Sequence, residues 1–188
     1  MALTRVIGDG LANSALPTGT ILQTVVHQED GMTSFTAGVA GTYLLLSAAN
    51  AADSASHLSL SITPTSSSSK ILLTTSVFFE GSSTDQQSYL WTIYRDSTQL
   101  GQPAASSRRV GIMGTVMGYY SSDAASTADS VSFNYYDTPN TTSAITYTLA
   151  FNHAAADVLV YLNRTVSDTD NIGYERGVSI LIAQEIGA

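Results

Sequence analysis

The stretch TPTSSSSKILLTTSVFFEG, residues 63–81, decides the fold. Four serines in a row run into Lys70, the only lysine of the chain, and then into a long segment of Ile, Leu, Val and Phe. In a strand, successive side chains point to opposite sides, and KILLTTSVFF (70–79) carries apolar residues on both. One face of a two-layer sandwich normally meets water. A strand apolar on both faces needs a second cover, supplied either by long loops of its own chain or by another subunit. DVLVYL (157–162) and GVSILIA (177–183) have the same two-sided character.

Around that segment the chain reads as a succession of short strands. TILQTVVH (20–27) is β-rich and is closed by the turn signal EDG at 29–31. GTYLLLS (41–47) is an apolar run, and HLSLSITP (57–64) alternates, with Leu58, Leu60 and Ile62 on one face and Ser59, Ser61 and Thr63 on the other. SYLWTIYRD (88–96) is aromatic-rich and runs into RDST, a tight-turn composition that predicts a hairpin partner. RRVGIMGTVMG (108–118) holds glycines at 111, 114 and 118 and reads as a bulged or closely packed strand. SVSFNYYDTP (130–139), SAITYTLAF (143–151), DVLVYLNR (157–164) and GVSILIAQEI (177–186) complete the set. Two Ala/Ser-rich segments, 43–56 and 121–130, lack an apolar stripe wide enough to anchor a helix. Many short strands with polar turns predict an all-β fold, an antiparallel β-sandwich of jelly-roll-like type, over residues 20–188. Residues 1–19, with Gly8, Gly10, Pro17 and Gly19 and no periodicity, predict a short extended N-terminal arm. No fixed-period repeat points to a solenoid or propeller.

Composition narrows function. Charged residues make up 12% of the chain, about half the usual share, and the net charge is −8. Binding along phosphate backbones needs many Lys and Arg, so no nucleic-acid partner is expected, and Arg108-Arg109 reads as a local surface pair. With no cysteine, disulfides, thiolate metal sites and Cys nucleophiles are all excluded. The first residues contain no apolar signal-peptide core, and no stretch approaches about 18 continuous apolar residues, so neither secretory export nor membrane insertion is expected.

Candidate chemistry is sparse. His27, His57 and His153 show no HxH or HExxH spacing, so no histidine-built metal site is expected. Serine is abundant, but no GxSxG elbow singles one out. A glycosidase needs two acids facing each other across a sugar. Glu80, Asp85, Asp123, Asp129, Asp137, Asp157 and Glu175 are candidates, most of them at turns where Asp is expected for its backbone hydrogen bonds. DTDNIG (168–173) spaces Asp168, Asp170 and Gly173 like the start of a calcium loop, but Ile172 and Ser179 stand where ligands are required, and a plain turn is expected. The ten tyrosines include the pairs Tyr119-Tyr120 and Tyr135-Tyr136. Within a strand, one ring of each pair faces the core and the other a neighbour, a ligand or water.

SLSITPTSSSSKILLTTSVFFEG, YLWTIYRDSTQLG, ITYTLAFNH and GVSILIAQEI together resemble the C-terminal β-domain of bacteriophage tail fibres and related virion appendages. Residues 70–72, 95–100 and 179–185 carry the match, which extends over about 20–186. The resemblance implies a non-enzymatic virion structural protein without cofactor or metal, a homotrimer of jelly-roll-like subunits assembled in the host cytoplasm. On it, residues 63–69 are a polar bend that takes the chain from one sheet to the other. The two-sided strand after the bend then lies between its own core and a symmetry mate. The arm, through Leu3, Val6, Ile7, Leu11 and Leu16, is expected to dock on other virion proteins of the tail or baseplate. Loops carrying Asp85, Gln86, Tyr119, Tyr120, Asp168, Asp170 and Asn171 are expected to face a host-surface glycan or protein. The alternatives are a capsid decoration protein that stabilises the head and, further off, a polysaccharide-degrading tailspike.

Overall fold

The computed structural model describes residues 16–81, 89–115 and 126–188. Alternating apolar side chains there sort into two antiparallel sheets closed over one core. The first sheet holds β1 (Ile21–Glu29), β2 (Thr33–Ala37), β5 (Lys70–Gly81), β9 (Asp129–Asp137), β11 (Val158–Leu162) and β12 (Ser179–Ile186). The second holds β3 (Leu44–Leu45), β4 (Ser59–Ile62), β6 (Tyr89–Arg95), β7 (Thr98–Gln99), β8 (Met113–Thr115) and β10 (Ile145–Asn152). β5 organises the first sheet. It pairs β12 along 70–76 on one side and β9 along 71–79 on the other, while β11 pairs its last three residues. The chain changes sheet between β2 and β3, β4 and β5, β5 and β6, β8 and β9, β9 and β10, and β10 and β11. That traffic gives the sandwich its jelly-roll-like character. Among the described residues there is no α-helix, and none long and apolar enough to cross a membrane.

The serine tract makes one of these crossings, from β4 to β5. It is held by a buried carboxylate: Glu185 Oε1 accepts from Thr65 N and Thr65 Oγ1, both at 2.7 Å, and Oε2 accepts from Gln23 Nε2 at 2.6 Å. Gln23 also donates to Thr63 O at 2.7 Å. Small hydroxyl residues and free backbone amides let the bend close over an acid that would otherwise be costly to bury.

Between the sheets, Phe79 of β5 meets Trp91 of β6 at 4.7 Å between ring centroids, inclined 69°. Tyr89 and Phe151 complete the cluster. Near edge-on packing of this kind adds to an apolar burial of about 1.5–3 kcal/mol per side chain. Farther along, Arg95 NH1 lies 3.0 Å from both oxygens of Asp137, and Tyr147 Oη donates to Asp137 Oδ2 at 2.7 Å, tying β6 and β10 to β9 across the core. Burial, followed by the hydrogen bond to Asp137 and its charge, raises the Tyr147 phenol above its ordinary range.

The outer faces of the two sheets differ. On the second, Thr92, Thr148, Ala150 and Asn152 are buried by the chain's own loops. Thr92 Oγ1 donates to Leu100 O, Tyr43 Oη to Val110 O, Gln99 Nε2 to Val110 O, and Arg109 reaches Asn152. On the first, Leu72, Ile180 and Ile182 are half-buried, and Val26 and Tyr136 are 54% and 56% exposed. The three strands read as apolar on both faces, β5, β11 and β12, all belong to this sheet.

The hairpin expected after Arg95 is present, with Asp96 at φ 51° and β7 returning along β6. Two segments differ from expectation. The 41–47 run gives only the two-residue β3, and 108–118 gives only β8 among its described residues, because both stretches are spent covering the second sheet. β2 was not anticipated: TSFTA presents only Phe35 and Ala37 to the core, too little to stand out as a strand pattern.

Candidate functional site

The register fixes two ends for the first sheet. At one, Ile21 pairs Ile186 and Ile186 pairs Lys70, while Gly19 N donates to Gly187 O and Gly187 N to Thr20 O. The chain preceding β1 therefore departs from this end, where Leu16 is half-buried. At the other end lie Gly81 at the close of β5, Asp129 at the start of β9, Leu162 at the close of β11 and Ser179 at the start of β12. The described excursion 163–178 springs from that second end. Of the residues expected to face a host surface or a virion partner, Leu3, Val6, Ile7, Leu11, Asp85, Gln86, Tyr119 and Tyr120 lie outside the described residues. Leu16, Asp168, Asp170 and Asn171 lie within them.

Asp168, Asp170 and Asn171 share the 163–178 excursion. Asn163, at φ 60°, turns the chain out of β11, and its Nδ2 donates to Glu29 O and Gly31 O. An antiparallel bridge between Arg164 and Arg176 pinches the base, and Thr165 N donates to Glu175 O at 3.1 Å. Arg164 lies 4.6 Å above the Tyr161 ring. Above the pinch, Asp168, Thr169, Asp170, Asn171, Tyr174 and Arg176 line an open recess of about 440 Å³. Arg176 grips Asp168 bidentately, Nε to Oδ1 at 2.8 Å and NH2 to Oδ2 at 3.0 Å. This hydrogen bonding, against a smaller opposing effect of burial and with help from the charges of Arg176 and Arg164, holds the Asp168 carboxyl below its ordinary range. Both oxygens of the first would-be calcium ligand thus already serve a guanidinium, and Asn171 Oδ1 accepts from Gly173 N within the turn. The recess offers amide, hydroxyl and carboxylate groups around one aromatic ring, with Ile172 fully exposed at its rim. Such a surface hydrogen-bonds to and stacks on polar ligands.

The candidate acids are dispersed. Asp137 serves Arg95 and Tyr147, and Glu80 is buried, accepting from Thr127 N at 2.9 Å and Val166 N at 2.6 Å. Asp129 accepts from Ser130 N, Asp157 and Glu175 are exposed, and Asp85 and Asp123 lie outside the described residues. Of the second tyrosine pair, Tyr135 packs against the core and Tyr136 faces outward, as strand alternation requires. His153 is buried, its Nδ1 accepting from Ala155 N at 3.0 Å. His27 and His57 stand together beside Glu29, a grouping that no HxH or HExxH spacing signals. His27 and Glu29 were visible as same-face neighbours on one strand, but nothing in the sequence places His57, thirty residues on, beside them.

Comparison with known proteins assigns no relationship: the chain matches no family model and no curated protein.

Proposed function

We propose that the chain is a non-enzymatic structural subunit of a phage virion, a short tail fibre or receptor-binding protein that works as a homotrimer. The observation that carries this reading is the polarity of the first sheet. The described segment leading into β1 lies at one end, and the 163–178 excursion springs from the other. A knob of this layout docks on a particle through its base and presents loops to a host surface. The polar recess at Asp168–Arg176 is one such contact region, suited to a glycan or a protein epitope. Weak contacts of this kind become strong when three copies engage together, because the second and third bind at high effective concentration.

The trimer is supported separately. Val26, Leu72, Tyr136, Ile180 and Ile182 share the outer face of the first sheet with Thr24, Thr74, Ser76, Asn134 and Gln184, and Val26 and Tyr136 are more than half exposed. A second and third copy of the chain supply the cover.

Immunogold labelling of intact particles tests the assignment, together with adsorption assays in which purified protein competes for host cells. Gold at the tail and blocked adsorption are expected. Gold spread over the head shell replaces the fibre with a capsid decoration protein, and release of sugar from host envelope replaces it with an enzyme.

A further inference from the structure

We propose that His27, Glu29 and His57 form a binding site for a single zinc-class divalent cation. His27 and Glu29 are two residues apart on β1 and share its inner face with Val25, which packs on the core. At this end of β1 the chain leading into β4 passes opposite and brings His57 between them. His27 Nε2 lies 3.6 Å and His57 Nδ1 4.0 Å from the same carboxylate oxygen, Glu29 Oε2. All three atoms fall within 4.8 Å of one another, and the two rings stand 4.8 Å apart at 54°.

Two imidazole nitrogens and one carboxylate oxygen are the donor set of an open zinc site, three protein ligands with a fourth position left for water. Tetrahedral zinc with bonds of about 2.0–2.1 Å sets its donors roughly 3.3 Å apart. The present separations exceed that by no more than about 1.5 Å, a contraction that rotation of two part-exposed imidazoles supplies. Their side chains are 24% and 29% exposed against 11% for the carboxylate, so an ion has a path in from solvent.

The carboxylate is already oriented. Glu29 Oε1 accepts from Gly31 N at 2.7 Å and Oε2 from His57 N at 2.9 Å. Outer contacts of this sort fix a ligand's direction and raise its affinity for metal. Gly31 keeps the space open, since a Cβ there would overlap Ser56 Oγ and come within 2.8 Å of Glu29 Oε1. Asp53 Oδ1 accepts from Ala55 N and Ser56 N, bracing the backbone just ahead of His57. His27 Nε2 rests 2.9 Å from His57 O, and His57 Nδ1 rests 3.2 Å from Ala55 O. Binding therefore moves each ring proton to the ring's other nitrogen and swings each ring off its carbonyl, after which both nitrogens face Glu29 Oε2. The ion would staple β1 of the first sheet to the segment entering the second.

Calorimetric titration of chelator-treated intact protein with zinc sulfate, paired with cobalt(II) absorption spectra, tests the proposal. One equivalent per chain is expected, with a cobalt d–d band typical of low coordination number and a raised Tm on zinc addition. His27→Ala and His57→Ala should each weaken binding by at least about 100-fold, more than the loss of an outer contact costs. Asp168→Asn should leave it unchanged. Glu29→Gln removes an acceptor of two backbone amides and is compared only if it folds, whereas the cobalt spectrum of the unaltered protein needs no variant. Absence of stoichiometric binding overturns the site, as does undiminished affinity in the His27→Ala/His57→Ala double variant. Either result leaves Glu29 as a backbone clamp.

Discussion

Ile182→Asp is the perturbation that most directly tests the trimer. Ile182 lies in the interior of the first sheet, paired with Val26 on one side and Thr74 on the other, and is half-buried in the isolated subunit. In a lone subunit the change exposes nothing new and places a poor strand former on a solvated face, costing about 1 kcal/mol. In a trimer that closes over this face, association buries only the part of the side chain still exposed in the lone subunit, roughly half of the about 1.5–3 kcal/mol of full burial per copy. Three copies forfeit about 2–4 kcal/mol, before any penalty for burying the new carboxylates. That lowers the association constant roughly 30- to 10³-fold. Light scattering coupled to gel filtration, over a concentration series, should show a trimer for the unaltered chain and a folded monomer for the variant. Ile172→Asp, at the fully exposed rim of the recess, should remain trimeric. A monomeric unaltered chain at micromolar concentration, or a trimer indifferent to Ile182→Asp, refutes the reasoning.

Two further outcomes concern the subunit alone. Burial pushes the Glu185 carboxyl up, but hydrogen bonds from Gln23 and Thr65 outweigh it, and the group sits below its ordinary value of 4.5 in the folded chain. A depressed folded pKa contributes stability that is present above pH 4.5 and is lost as pH falls through the folded value. Glu185→Gln should therefore cost about 1–3 kcal/mol at neutral pH and flatten the decline of Tm in acid, as read by thermal unfolding across a pH series; parallel curves for the two proteins would contradict this. Gly81→Ala should cost about 1–3 kcal/mol, because the added Cβ overlaps Tyr89 Oη and lies within 2.7 Å of Tyr89 Cε2, and that ring is fully buried against Phe79; an unchanged midpoint in chemical denaturation would show that the ring has room to move.

What the sequence made legible follows from how local each signal is. Period-2 alternation in 57–64 and the two-sided runs in 70–79 and 177–183 depend on residues one or two apart, and β4, β5 and β12 lie where those patterns fall. The crossing at 63–69 was expected only from the family resemblance, and the structure places it between β4 and β5. Asp137 was visible only as one of several candidate acids within the 130–139 strand, and it is buried. Its partners Arg95 and Tyr147 belong to strands of the other sheet, and no local pattern reports a contact across the core. Glu185 was read only as part of a terminal strand motif, and its grip on Thr65, 120 residues earlier, depends on β12 lying beside β5. The histidine-carboxylate group was half visible for the same reason.

The unequal treatment of the two sheets bears on what covers the first. The second sheet is covered from within: the segments bearing Tyr43, Leu100, Arg109 and Val110 are laid across Thr92, Thr148 and Asn152, and buried hydroxyl and amide groups are satisfied as they go. Ordering such loops costs about 1–2 kcal/mol per residue in backbone entropy, and the second sheet's outer face is partly polar. The first sheet's outer face carries Val26, Leu72, Tyr136, Ile180 and Ile182 among Thr24, Gln28, Thr74, Ser76, Ser132, Asn134 and Gln184, and Val26 and Tyr136 are more than half exposed. The apolar members of that face would gain from cover by a surface that is already folded. In a cyclic trimer each copy meets its neighbours through two different surfaces, so on the proposed reading this face packs against another patch of the next copy. The segment leading into β1, the 63–69 bend and the 138–144 loop lie at one end of that sheet, and the 163–178 excursion lies at the other.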